Sequence, residues 1–301
     1  MEIVPIASDS LGVRSFCVQI ITKDLSILID PSVSLAPRRY GLPPHNLEIR
    51  RMNELWEKIL KLSLESDLIV ISHYHFDHFS WDEPNQFKGK ILLIKHPTQF
   101  INFSQRRRAS IFLKKISGLP KEIKYCDGKE FKFGSTTLKF SKPVPHGINE
   151  KLGFVVELFI EENGESFLFS SDVEGPPLEE QESFILENSP RVVFIDGPMT
   201  YMLNYRYPEE ALTKSVGNLV KIIEKCKPEK LVLDHHLLRD LNYKEKIKNV
   251  YERASEFNCE VLSMAEFLGK EDDMLEARRR ELYRQFPMKR REKLKKSLRG
   301  E

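Results

Sequence analysis

The chain is expected to be an α/β protein in which two facing sheets are flanked by helices. Three features of its 301 residues predict this. The chain opens with closely spaced strands joined by a tight turn, as in an antiparallel sheet. Its second half alternates strands with helices, as in a parallel one. Several apolar runs of strand length end on His or Asp, which gathers polar side chains at one sheet edge.

Taken in order, residues 3–6, 14–21 and 25–30 read as strands, with Lys23-Asp24 as a tight hairpin turn. Residues 34–45 are rich in Pro and Arg and form a loop near that edge. Residues 46–64 follow as a helix, because Leu47, Met52, Leu55, Trp56, Ile59 and Leu60 recur on one face. The apolar run 68–71 is a buried strand, 91–94 another, and 104–116 a helix. Four short strands are expected between residues 121 and 140. Residues 152–160 and 166–171 form a hairpin, for which Asn163-Gly164 is a strong turn signal. Beyond it come helices at 178–186, 209–225 and 243–257, with strands at 192–196, 231–234 and 260–262. Residues 274–298 carry Leu275, Leu282, Phe286, Leu294 and Leu298 among many charges, so part of that stretch is expected to be a last helix.

Composition fits an intracellular enzyme. With 41% apolar residues the chain can bury a sizeable core, and a chain of this length can be a single α/β domain. Cys17, Cys126, Cys226 and Cys259 lack C-x-x-C spacing, so neither a zinc ribbon nor a disulfide framework is indicated. No signal peptide and no apolar run of membrane-spanning length is visible, and a cytoplasmic location is the default. The net charge of +2 hides an asymmetry: residues 278–301 carry eleven Lys or Arg against three Glu, a balance of +8 that leaves −6 for residues 1–277. Such a tail is either a basic arm for nucleic acid or a solvated helix with a frayed end. Arg106-Arg-Arg108 is open to the same two readings, and neither segment shows the aromatic interleaving of a single-strand stacking platform. The organisation expected is a catalytic domain over residues 1–270 and a basic tail over 271–301.

The chemistry concentrates in His73-Tyr-His75-Phe-Asp77-His78, directly after the apolar strand. His73 and His75 lie on the same side of an extended segment. Once the chain turns, Asp77 and His78 can address a neighbouring position, as in two-metal sites. Downstream, His146 lies in Lys142-Pro-Val-Pro-His-Gly147, Asp172 ends Phe167-Leu-Phe-Ser-Ser-Asp172, and His235 and His236 follow Lys230-Leu-Val-Leu-Asp234. Asp30 ends an early strand in the same way.

These five motifs, in this order, resemble the metallo-β-lactamase superfamily, whose signature is H-x-H-x-D-H after a strand. The segments Asp9-Ser-Leu-Gly-Val-Arg-Ser15 and Leu233-Asp-His-His-Leu-Leu-Arg-Asp240 look most like a poorly characterised, largely archaeal branch of it. The resemblance implies a four-layer αββα sandwich with two metal ions at one edge. It implies that His73, His75 and His146 hold the first ion, that Asp77, His78 and a His of the last motif hold the second, and that Asp172 bridges them. Strand parity, with Leu231, Leu233 and His235 on one face, selects His235 and leaves His236 to face a ligand or the substrate. Asp30 is expected to accept a hydrogen bond from a ligand imidazole.

A ligand set of imidazole and carboxylate suits zinc, with manganese or iron as alternatives. Two such ions sharing a water generate a hydroxide near neutral pH, and Asp77 is the candidate to orient it and take its proton. His236, Lys142 and His45 are the candidates for a general acid. The function expected is dinuclear metal-dependent hydrolysis of a small ester or phosphate-containing molecule. The alternatives are a nuclease that uses the basic tail, and a nucleic-acid-binding protein with a vestigial site. Lactamases of this fold lack the bridging Asp, so Asp172 argues against antibiotic hydrolysis. Arg38, Arg39 and Tyr205–Tyr207 could contact an anionic substrate.

Overall fold

The computed structural model describes residues 1–287. Leu294, Leu298 and seven of the eleven basic residues of the expected tail lie outside the described residues. Strands β1 (Glu2–Ser8), β2 (Phe16–Ile21), β3 (Ser26–Ile29), β4 (Leu68–Ile71), β5 (Ile91–Ile94) and β6 (Glu122–Tyr125) form one sheet in chain order. Strands β7 (Glu130–Phe133) and β8 (Thr136–Phe140) begin a second sheet. A two-residue ribbon, β9 (Val144–Pro145) with β10 (Phe154–Val155), interrupts it. It is completed by β11 (Leu158–Glu162), β12 (Glu165–Phe169), β13 (Val192–Asp196), β14 (Lys230–Asp234) and β15 (Glu260–Leu262), in the order β15-β14-β13-β12-β11-β8-β7.

Each sheet is antiparallel in one half and parallel in the other. The pairs β1–β2 and β2–β3 are antiparallel and β3 through β6 run parallel, while β7, β8, β11 and β12 are antiparallel and β12 through β15 run parallel. The hairpin turns are the expected ones. Thr22 N–H donates to Leu25 O around Lys23-Asp24, and Asn163 and Gly164 both take positive φ between β11 and β12, as a two-residue turn requires.

Alternation along the strands sorts side chains into three cores. Val18, Ile20, Ile27, Ile29 and Val70 from the first sheet meet Leu138, Leu158, Phe167, Phe169, Phe194 and Val232 from the second, which fills the space between the sheets. The neighbours Cys17, Leu28, Ile69 and Ile71 point outward, toward helices α1 (Asn46–Glu65) and α2 (Phe103–Lys115). On the far side, Leu168, Val193, Ile195, Leu231 and Leu233 pack under α3 (Glu179–Asn188) and α4 (Glu209–Cys226). Because strands buried on both faces need apolar residues at every position, their sequences are continuous apolar runs. The result is four layers in the order helix, sheet, sheet, helix.

Three details differ from expectation. Residues 121–140 hold three strands rather than four, because the chain crosses between the sheets there and Asp127-Gly128 turns where a fourth was expected. The expected strand 152–160 is broken: Phe154–Val155 leaves the sheet to pair with β9. The expected helix 243–257 is two, α5 (Tyr243–Lys246) and α6 (Lys248–Glu256), and a further turn of helix, α7 (Met264–Phe267), follows β15.

Residues 274–286, read from sequence as the start of the basic tail, pack into the body of the protein. Met274, Leu275, Ala277 and Leu282 are buried, and α8 (Arg279–Gln285) delivers Arg279 to a site with no solvent exposure. There its guanidinium makes a forked pair with Glu48, the residue that also caps α1 by accepting from His45 N–H. The other end of Arg279 donates to Ala36 O and Leu42 O, pinning the loop before α1. A charge buried this deeply is tolerated only while its partner remains. Arg279→Ala should therefore cost about 3–5 kcal/mol in chemical denaturation, and Arg279→Met combined with Glu48→Met should recover most of that loss.

Glu157 is the converse case. It is fully buried and neither carboxylate oxygen has a hydrogen-bond partner, so burial, reinforced by Glu187, raises its pKa well above the ordinary 4.5. A carboxyl that is harder to ionise in the folded chain than in the unfolded one leaves stability intact below 4.5 and erodes it as pH rises. Glu157→Leu should raise stability in chemical denaturation at pH 7 and leave stability at pH 4 nearly unchanged. A pH-independent effect of the substitution would show that the carboxyl carries no such burden.

Candidate metal centre

The parallel strands of both sheets end at one edge, and the polar residues that follow them converge there. After β4, Ser72 N–H and Oγ–H donate to Asp30, the residue that follows β3. The next residues alternate in purpose. Tyr74 and Phe79 are buried against α2 and its Phe112, and the Tyr74 hydroxyl donates to Lys95 O. His73, His75 and His78 turn the other way, and His75 O receives the N–H groups of His78 and Phe79 to close the turn.

His146 is set by the ribbon: its N–H donates to Gly153 O, across from β9. Gly147 beside it has φ +75, and a Cβ there would lie 2.1 Å from Glu174 Oε2, so only glycine fits. Asp172 follows β12 through Ser170 and Ser171, and the Ser171 hydroxyl donates to Ser72 Oγ at 2.7 Å, tying the edges of the two sheets together. Asp30, Ser171, Glu174 and His235 all take left-handed backbone, with φ of +48, +56, +51 and +57. Such positions cost about 1–3 kcal/mol each and cluster where geometry is under functional constraint.

At the centre is one oxygen. Asp172 Oδ2 lies 3.1 Å from His78 Nε2, 3.2 Å from His146 Nε2, 3.4 Å from His235 Nε2 and 3.6 Å from His73 Nε2. His75 joins through His146, Nδ1 to Nε2 at 3.1 Å, and Asp77 approaches His235 at 3.7 Å and His78 at 3.9 Å. All seven side chains expected at the site are thus brought together: His73, His75, Asp77, His78, His146, Asp172 and His235. They form overlapping sets of potential metal ligands, among them His73, His75, His146 and Asp172, and also Asp77, His78 and His235. His73 Nε2, His78 Nε2 and Asp172 Oδ1 are buried without an aligned hydrogen bond. Buried nitrogens and oxygens aimed at a common point without satisfying each other are the donor set that a divalent cation completes.

A second ring of carboxylates orients the imidazoles. Asp30 Oδ2 accepts from His78 Nδ1 at 2.9 Å, the role expected of it. Asp9 Oδ2 accepts from His235 Nδ1 at 2.9 Å, and Asp196 Oδ2 from His236 Nδ1 at 2.8 Å. Glu174 Oε1 lies 3.5 Å from His146 Nδ1. Since a carboxylate only accepts, each bonded Nδ1 carries a proton, which fixes the ring so that Nε2 faces the centre. The sequence places the polar loop 8–15 within reach of the mouth of the site and Asp196 at a strand end on the same edge as Asp172 and His235, but it does not announce that Asp9 pairs with His235 or Asp196 with His236, nor that Glu174 joins them.

The parity argument for His235 does not describe what happens. Leu231 and Leu233 point to the outer core, and Asp234 stops the strand by accepting from His235 N–H, Ser10 N–H and Met264 N–H. The left-handed turn at His235 then brings both histidines to the edge. His235 reaches Asp172 and Asp77, and His236, beside His146 with ring centres 6.1 Å apart, also forms a potential ligand set with Asp172 and His235. Of the general-acid candidates, His45 is committed elsewhere, its Nε2 2.8 Å from Phe286 O, and Lys142 is an exposed side chain beside Gly128. Tyr207 is buried, donating to Glu174 O, and Tyr205 is 77% exposed.

Against known proteins, no family model matches the chain. It is 48% identical over 289 residues to a UPF0282 protein of Korarchaeum cryptofilum, spanning 96% of each chain. A UPF0282 protein of Metallosphaera sedula is 47% identical over 289 residues, covering 95% of this chain and 93% of that one. The chain belongs to the UPF0282 family. Its similarity to solved structures lies in the fold. The isothiocyanate hydrolase from Delia radicum gut bacteria superposes with a TM-score of 0.54 at 13% identity, over 86% of this chain and 95% of that one. Unliganded yeast PDE1 gives 0.53 at 14% identity, over 87% and 96%. Zn(2+)-bound PqqB from Methylobacterium extorquens gives 0.51 at 12%, over 87% and 98%. The UPF0282 chain therefore has the metallo-β-lactamase fold. No helix among its described residues is long and apolar enough to cross a membrane.

Charge at the centre is unevenly shared. Burial lowers His75 to about 3, with His146 adding to the effect, and burial likewise puts His73 well below its ordinary value. Burial also opposes charge on His235 and His78, but the Asp172 carboxylate outweighs it, lifting His235 to about 10 and His78 well above its ordinary value. Without metal, His235 is thus protonated at neutral pH, and an ion must displace that proton to bind. Calorimetric titration of Zn2+ into metal-free protein at pH 7, in buffers of different ionisation enthalpy, should show at least about one proton released per chain. Apparent affinity should rise with pH up to about 10. An affinity that is independent of pH would contradict this charge distribution.

Proposed function

We propose that this chain is a dinuclear metal-dependent hydrolase acting on a small ester or phosphate-containing substrate. The observation that carries the reading is the convergence of four imidazole nitrogens on Asp172 Oδ2, with Asp77 beside them. His73, His75 and His146 would hold one ion and Asp77, His78 and His235 the other, with Asp172 serving both. A set of imidazole and carboxylate without thiolate suits zinc, manganese or ferrous iron, with availability deciding among them, and zinc is the first choice because a Zn2+-bound protein is among those that share the fold. When bound, such ions supply Lewis acidity and lower the pKa of a coordinated water toward neutrality.

The protein's own part is orientation and proton handling. Asp30 and Asp9 fix the tautomers of His78 and His235. Asp77 is buried, yet its pKa is lowered because His78 and His235 outweigh the cost of burial. That lowering belongs to the metal-free protein, where the two imidazoles carry charge; beside a bound ion Asp77 would remain an anion and would orient the attacking water and accept its proton at Oδ1 or Oδ2. Its side chain is 17% exposed where His73 and His78 are sealed, so it marks the open face of the site. His236, held by Asp196 and adjacent to His146, would be the group that meets the substrate. One protein of this fold is an isothiocyanate hydrolase, and hydrolysis fits a site that would present an anionic base beside a Lewis-acidic centre.

Asp172→Ala removes the atom on which the set converges. Elemental analysis of that variant should find less than about half the wild-type metal, and turnover on a panel of chromogenic phosphodiesters, lactones and thioesters should fall at least about a thousandfold. Full activity in that variant would sink the assignment.

A further inference from the structure

Beside Asp77 the chain builds a cluster of three arginines that metal binding leaves unexplained. Arg239 is buried and lies 3.8 Å from Asp77 Oδ2, but its charge is already matched: Nε and Nη2 donate to Asp9 at 2.9 and 3.3 Å. Arg14 is likewise matched by a fork to Glu276, at 2.6 and 2.7 Å. Arg39 is not. Its nearest carboxylate oxygen is Glu276 Oε1, 4.0 Å away and already engaged by Arg14, and its Nε is cut off from solvent with no hydrogen-bond partner.

Arg239 has Asp9 and also Asp77, and Arg14 has Glu276, so Arg39 is the one guanidinium of the three without a carboxylate of its own and its charge is the least compensated. That charge is held in place. The Arg39 guanidinium lies 4.6 Å from the ring centres of both Tyr40 and Tyr201, and its Nη2 donates to Arg239 O at 2.9 Å. Tyr201 in turn bridges to the site, its hydroxyl 3.5 Å from Arg239 Nη1. A contiguous path therefore runs from Arg39 through Tyr201 and Arg239 to Asp77. The Arg39 and Asp77 side chains retain 14% and 17% exposure at its two ends. A guanidinium held rigid between aromatic rings and short of a counter-ion is built to receive a planar or tetrahedral oxyanion in fork geometry.

We infer that the substrate carries a second, non-reacting anionic group, a carboxylate or a phosphoryl group, which Arg39 receives while the scissile bond lies beside Asp77. This rests on the hydrolase reading for the position of the reacting end, and on Arg39 alone for the anion.

The test uses full-length wild-type, Arg39→Met and Arg39→Lys proteins loaded with the same metal. Metal content is measured by elemental analysis, and inorganic phosphate and acetate are titrated calorimetrically. The expected result is equal metal content in all three, affinity for the preferred anion weakened at least about tenfold in Arg39→Met, and partial recovery in Arg39→Lys. Preference of the wild type for phosphate assigns a phosphoryl group, and preference for acetate a carboxylate. Equal anion affinity in the three proteins, or no anion binding by the wild type, overturns the inference and leaves the hydrolase reading intact. Loss of metal from Arg39→Met alone also overturns it, since Arg39 would then only support the centre. If none of the three holds metal, the hydrolase reading fails, and the same titrations on metal-free protein decide the role of Arg39 by the same tenfold criterion.

Discussion

Four imidazoles crowded around one carboxylate oxygen are an unstable company unless positive charge is supplied. Neutral imidazoles turn lone pairs toward Asp172 Oδ2, and protonated ones repel each other across ring separations as short as the 4.2 Å between His73 and His78. The metal-free protein resolves this by placing charge where Asp172 and Asp77 pull hardest, on His78 and His235, and by keeping His73 and His75 neutral. Much of the surrounding structure serves to keep these groups from escaping the conflict. The serine link between Ser72 and Ser171 closes the two sheets over the cluster, and left-handed residues aim its members inward.

The same device recurs at the strand ends. Asp30 after β3, Asp196 at the end of β13 and Asp234 at the end of β14 each terminate an apolar run and accept a backbone N–H from the segment that carries a histidine. A strand-end aspartate therefore does two tasks. It satisfies the amide groups left over where pairing stops, and it fixes the first residue of the functional loop. Parallel neighbours put these ends side by side, so a short vocabulary of Asp and His after apolar runs is enough to assemble a centre from five separate segments.

This explains which parts of the protein were legible in the sequence. The layer order follows from alternation and from continuous apolar runs, and the Asn163-Gly164 turn from local chemistry. The seven residues of the centre follow strand ends, and that position is visible in one dimension. The loop 8–15 and the segment 196–201 read as lying near the site, but the pairing of Asp9 with His235 was not legible, because the two meet across 226 residues. Arg279 looked like one more charge in a basic tail, since nothing in its neighbourhood announces that Glu48 waits for it 231 residues away. The break at residues 156–157 was hidden for another reason. Val155 and Val156 read as ordinary strand residues, and only the need to hold His146 against Gly153 detaches them from the sheet.

The span between Glu48 and Arg279 also has a consequence in time. Ribosomes deliver the chain from its amino end, and a helix that begins at Asn46 waits for a partner made 231 residues after Glu48. Until then the loop that carries Arg39 is unpinned, and the first histidines are displayed without His146, Asp172 or His235. A nascent chain in that state holds only part of the cluster, three imidazoles and Asp77 without the carboxylate on which they converge. The set is complete in the chain once His235 has been made, and the loop that carries Arg39 is pinned later still, when α8 brings Arg279 to Glu48.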